Sequence, residues 1–68
     1  MKNIMWINKM SKETGYVGSI SKAKGYFMSV SDQAAARKFR TDKEVATAMA
    51  TLESFGEMVN NDFEVVEL

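Results

Sequence analysis

The chain has 68 residues, 46% of them hydrophobic and 26% charged, with nine lysines and arginines balancing nine acids. This composition predicts a packed core rather than an intrinsically disordered chain, and the length accommodates one domain over residues 1–68 with modest net stability. The absence of cysteine and histidine removes disulfides, thiolate metal sites, and the commonest general base and zinc ligand.

No apolar run approaches the roughly 18 residues a membrane span needs, and no basic segment followed by an apolar stretch marks a signal peptide, so a cytoplasmic protein is expected. Charge is unevenly spread along the chain. Residues 1–43 hold all nine bases against three acids, net +6, whereas residues 44–68 hold six acids and no base, net −6. Such an asymmetry either marks a partner surface or brings opposite charges together within the fold.

The segment Asn3 to Met10 mixes β-branched, aromatic and sulfur side chains and predicts a strand, apolar on both faces near its start. A polar turn ending at Gly15 follows. Tyr16 to Ser21 and Tyr26 to Ser31 then alternate around the short polar connection Lys22-Ala23-Lys24-Gly25, which predicts a hairpin. In strict alternation Tyr16, Gly18 and Ile20 share one face, and Tyr26, Met28 and Val30 share one opposed to Phe27. Gly18 is a candidate bulge.

Ser31 or Asp32 can cap a short helical turn through Ala34 to Ala36, and Phe39 is then the one large apolar residue in a basic stretch, a candidate core anchor. Thr41-Asp42-Lys43-Glu44 fits a capping box, in which the Glu44 carboxylate reaches back to the Thr41 amide. The helix it opens carries Val45, Ala48, Met49, Leu52 and Phe55 as one apolar stripe and ends near Gly56. Asn60-Asn61-Asp62 is turn-forming, and Phe63 to Leu68 reads as a closing strand. The expected fold is α+β: an antiparallel sheet of three to four strands with one main helix on one face, in the order β-β-β-(short helix)-α-β. Pairing of the last strand with the first would set Glu64 and Glu67 near Lys2 and Lys9.

Enzymatic chemistry has little to work with. The serines have no histidine to activate them, and Glu53 and Glu57 are separated by the helix-ending Gly56. No phosphate-cradling glycine loop, cofactor site or metal site is expected. A nucleic-acid surface could combine Lys9, Lys12, Lys22, Lys24, Arg37, Lys38 and Arg40 with Tyr16, Tyr26 or Phe27 as stacking platforms. The shared parity of Tyr16 and Tyr26 with Ile20 and Met28 favours instead a cross-strand pair within an apolar face. A protein interface rests on a surplus of apolar strand residues, because one helix covers one sheet face only. Trp6, Tyr16, Tyr26 and Met28 are its candidates, with Met5, Ile7, Val17 and Phe27 adding to the surplus.

The run Ala36-Arg37-Lys38-Phe39-Arg40-Thr41-Asp42-Lys43-Glu44-Val45-Ala46, then Leu52 and the closing Phe63-Glu64-Val65-Val66-Glu67-Leu68, with Gly15-Tyr16-Val17 and Gly25-Tyr26-Phe27 before them, resembles small uncharacterised proteins encoded by phages and prophages of Gram-positive bacteria. That resemblance implies an accessory protein of the bacterial cytoplasm with no catalytic residues to carry over. The sheet-then-helix order is also similar to plant-type DNA-binding domains with a three-stranded sheet. Those read DNA with sheet arginines and tryptophans, and residues 15–31 contain neither. The leading expectation is a non-enzymatic protein-interaction module that binds a host factor or itself, with nucleic acid as the alternative partner and no membrane or metal.

Overall fold

Alternating β-branched and aromatic residues, interrupted by Asn, Gly and Lys-rich turns, give four strands, and the capped alanine-rich run gives the helix between the third and fourth. The computed structural model describes residues 1–68 as β1 (Lys2–Asn8), β2 (Thr14–Ser21), β3 (Tyr26–Val30), a 3-10 turn (Gln33–Ala35), α1 (Asp42–Ser54), a second 3-10 turn (Glu57–Val59) and β4 (Asn61–Glu67). The sheet is antiparallel throughout, in the order β3-β2-β1-β4. The fold is therefore the expected α+β arrangement, with β4 beside β1 from Lys2↔Glu67 to Asn8↔Asn61.

The helix starts because the Thr41 hydroxyl accepts the Glu44 N–H at 3.2 Å, satisfying one of the otherwise orphaned first-turn amides. The Glu44 carboxylate reaches back one residue further than a capping box predicts, accepting the Arg40 N–H at 2.8 Å rather than that of Thr41. It ends at Phe55, and Gly56 takes a left-handed conformation with φ of 78° that an L side chain adopts only under strain. Val45, Ala48 and Leu52 of α1 lie in one core with Ile4, Val17 and Phe39, and Met49, Ile20, Phe27 and Phe63 pack against it. Full burial of side chains such as Leu52, Ile4 and Val17 is worth about 1.5–3 kcal/mol each relative to exposure.

Phe39 anchors this core from an unusual position. Lys2 N–H donates to the Phe39 carbonyl and Phe39 N–H to that of Lys2, at 2.9 and 2.8 Å, while Arg37 N–H donates to the Val17 carbonyl at 3.0 Å. The segment before α1 thus bridges the start of β1 and the middle of β2, where those two strands no longer pair with each other. Asn3 seals the junction: it is fully buried, and its Nδ2 donates to the Arg37 carbonyl at 2.9 Å.

The β2–β3 register shifts between Val17 and Ser19, so Gly18 is the bulge its sequence context suggested. A Cβ there would lie 2.9 Å from Val30 Cγ1, which explains the absence of a side chain. One extra residue on β2 reverses the facing of everything beyond it. Ile20 pairs with Phe27 and turns to the helix side, not to the side of Tyr16 as strict alternation predicts. Phe27 and Phe63, on the two outer strands, meet edge to face with ring centroids 5.7 Å apart. A flat four-stranded sheet would separate those strands by roughly 14 Å, so the sheet curls around its helix-covered face.

Candidate functional site: the helix-free face and the β3 edge

Strand pairing sorts the candidate side chains onto two faces. Directly opposed residues share a face, and one row runs Val30–Tyr16–Met5–Glu64 across all four strands. With Ile7, Met28, Tyr26 and Val66 it forms the face that carries no helix. Trp6, Gly15, Val17, Ile20, Phe27 and Phe63 belong to the helix-covered side. The structure therefore brings together Tyr16, Tyr26 and Met28 of the predicted interface and separates Trp6 from them. The Trp6 ring lies on Gly15, where a Cβ would come within 2.7 Å of its Nε1. It is half-buried packing, and its Nε1 is buried without a partner in the chain.

Tyr16 and Tyr26 share a face but do not pair. Tyr16 stands opposite Val30 and Tyr26 opposite Ser21, at opposite ends of the β2–β3 ladder. Tyr16 is half-buried, whereas Tyr26 and Met28 are 39% and 54% exposed. Among the apolar strand residues of this face, the most exposed are thus on β3, which is an outer strand. Over its five residues, Tyr-Phe-Met-Ser-Val, β3 has no charge and no proline. Outer strands of natural sheets usually carry charged side chains, prolines or a covering segment, because every second residue offers an unpaired N–H and C=O to any passing strand. The other outer strand, β4, follows that rule with Asp62, Glu64 and Glu67.

The basic candidates do not form one surface. Lys9 and Lys12 lie in the β1–β2 connection at one end of the sheet, and Lys22 and Lys24 in the β2–β3 hairpin at the other. Lys9 donates to the Met58 carbonyl at 2.9 Å and has the Asp62 carboxylate at 3.9 Å. Lys38 donates to the Ala34 carbonyl at 3.2 Å. Arg40 is exposed beside the start of α1. Of the stacking candidates, Phe27 lies on the opposite face from Tyr16 and Tyr26. Convergence occurs at one place only, a cleft of about 500 Å³ whose lining includes Lys22, Arg37 and Lys43 together with Phe39, Thr47 and the Glu44 carboxylate. There the Arg37 guanidinium sits 5.2 Å from the centre of the Phe39 ring, a cation–π contact.

The acidic half of the sequence meets the basic half locally, though not through the expected partners. Glu67 stands opposite Lys2, but Glu64 stands opposite Met5, and Lys9 faces Asp62. Lys2 makes its principal ion pair with Asp42 at the first turn of α1. That hydrogen bond raises the Lys2 pKa above its ordinary value and lowers that of Asp42.

No family model, curated protein or solved structure matches this chain. No helix is long and apolar enough to cross a membrane.

Proposed function

We propose that this chain is a non-enzymatic protein-interaction module that binds through β3 and the helix-free face beside it. The observation that carries the reading is the coincidence, on one strand, of an open backbone edge, an absence of charge and the two most exposed apolar side chains of that face, Tyr26 and Met28. Main-chain pairing to such an edge supplies affinity, and side chains of one parity supply selectivity. The lack of histidine and cysteine is in keeping with binding rather than turnover, and an accessory role encoded by a phage or prophage is part of this proposal.

A photo-cross-linking residue placed at position 28, with position 46 on the exposed side of α1 as control, tests this in the producing cell. Discrete protein adducts from position 28 and none from position 46 are expected. Equal adducts from both positions, or none from 28, would refute it.

The cleft beside Phe39 keeps a second reading in view, because Lys22, Arg37 and Lys43 could hold phosphate groups of a nucleic acid. Salt-sensitive amide shifts confined to that cleft on titration with oligonucleotides would favour it. The separation of Lys9 and Lys12 from the other cations, and of Phe27 from the tyrosines, weighs against a single extended nucleic-acid platform.

A further inference from the structure

We infer that the strand which pairs with the β3 edge is β3 of a second copy, antiparallel, about a two-fold axis through Met28. This rests on the reading of β3 as the interaction edge and names its partner.

An edge that pairs with itself must be compatible with its own reversed sequence, and β3 is. With Met28 on the axis, Tyr26 of one copy faces Val30 of the other, an aromatic–β-branched pair of the kind that stabilises antiparallel sheets. Phe27 faces Ser29, so no like charges meet anywhere along the ladder. Beyond the strand the same symmetry operates on charge. Just past the strand, where the chain bends at Ser31, the same two-fold brings the hairpin loop carrying Lys24 toward the partner's Asp32. Asp32 is exposed and extended, with φ −101° and ψ 125°. One of its carboxylate oxygens caps the following turn through the Ala34 N–H at 3.0 Å, leaving the other for a cation. Because the interface is isologous, the Lys24–Asp32 pairing occurs twice.

The outer strand β4 lacks this self-complementarity. Antiparallel self-pairing about Phe63 would set Asp62 opposite Glu64, and about Glu64 would set two glutamates face to face, arrangements that repel. Pairing through β3 instead joins two four-stranded sheets into one of eight strands and makes Tyr26, Met28 and Val30 of both copies a continuous apolar strip. Five residues of edge with one row of side chains bury less than the roughly 1,200 Å² of a standard interface, so a micromolar dissociation constant is expected.

Sedimentation equilibrium of the purified full chain, from low micromolar to millimolar concentration, tests the inference. A reversible monomer–dimer equilibrium is expected. Met28→Lys, which sets two ammonium groups against each other on the axis, should abolish the dimer. Lys24→Glu and Asp32→Lys should each weaken it by roughly tenfold, and the double exchange should restore it, all with unchanged circular dichroism. A chain that stays monomeric throughout overturns the inference. So does one that grows beyond the dimer, the signature of head-to-tail β3–β4 pairing, or a double exchange that fails to restore association. If the chain is monomeric while position 28 still cross-links to other proteins, self-pairing falls and the edge reading stands; if position 28 forms no adduct of any kind, both fall.

Discussion

The two faces of this sheet are built from similar residues and do different work. The covered face places Ile4, Val17 and Ile20 against Val45, Ala48 and Leu52 of α1, and draws in Phe39 from the bridging segment. The open face holds Met5, Ile7, Tyr16, Tyr26, Met28 and Val30, no less apolar, with no helix against it. In a chain of this length, hydrophobicity alone does not say which residues hold the fold. What separates the two sets is position relative to the single helix, and that is decided by one bulge and one cap.

Single substitutions should divide folding from association. The largest effect is expected on the covered side: Leu52→Ala should cost about 2–5 kcal/mol, comparable to the whole stability of a domain this small, and abolish the cooperative thermal transition seen by circular dichroism. On the open side, Met28→Lys should change stability by less than about 0.5 kcal/mol while removing association. A large loss of stability with Met28→Lys would break the division.

Gly15→Ala comes next. The added methyl would press on the Trp6 ring and should cost about 1–3 kcal/mol, with the tryptophan emission shifting to the red as the ring is pushed toward solvent. Thr41→Ala should cost about 1 kcal/mol by removing the helix cap, read as a lower denaturation midpoint with unchanged slope.

The smallest effect belongs to the exposed Lys2–Asp42 pair. Asp42 has its pKa lowered below 3.8, so its contribution is present above that value and is lost as pH falls through the lower, folded-state pKa. Lys2 has its pKa raised above 10.5, so its contribution is complete below that value and is lost as pH rises through the higher one. Asp42→Asn should flatten the stability profile at both extremes, and a profile identical to wild type would show that the pair contributes nothing.

Much of the architecture was legible in the sequence because its signals are local. The capping threonine, the Val45-Ala48-Leu52 stripe, Gly56 and the alternation in the two hairpin strands each act within a few residues. The division of residues between faces was less legible, because it depends on Gly18. A glycine in a strand suggests a bulge, but whether one residue is inserted, and so whether Ile20 faces in or out, is decided by pairing with β3. The placement of Trp6 away from Tyr16, Tyr26 and Met28 was illegible for a related reason: its ring lies on Gly15 of a neighbouring strand, a space that sequence spacing does not display. The bridging of β1 and β2 by residues 37–39, pinned by buried Asn3, had no local signal, since an asparagine near the start of a strand reads as ordinary polar surface. Of the β3 edge, the sequence displayed the composition but not the exposure, because strand order emerges only when β4 returns to pair with β1.

The most direct measurement is an amide-resolved NMR dilution series of the labelled chain. Concentration-dependent shifts confined to Tyr26–Val30 and the flanking Lys24 and Asp32, with Lys43, Ala46 and Ala50 of α1 unmoved, are the predicted result. Shifts centred on α1 or on the Phe39 cleft, or a spectrum independent of concentration up to the millimolar range, would contradict association through β3.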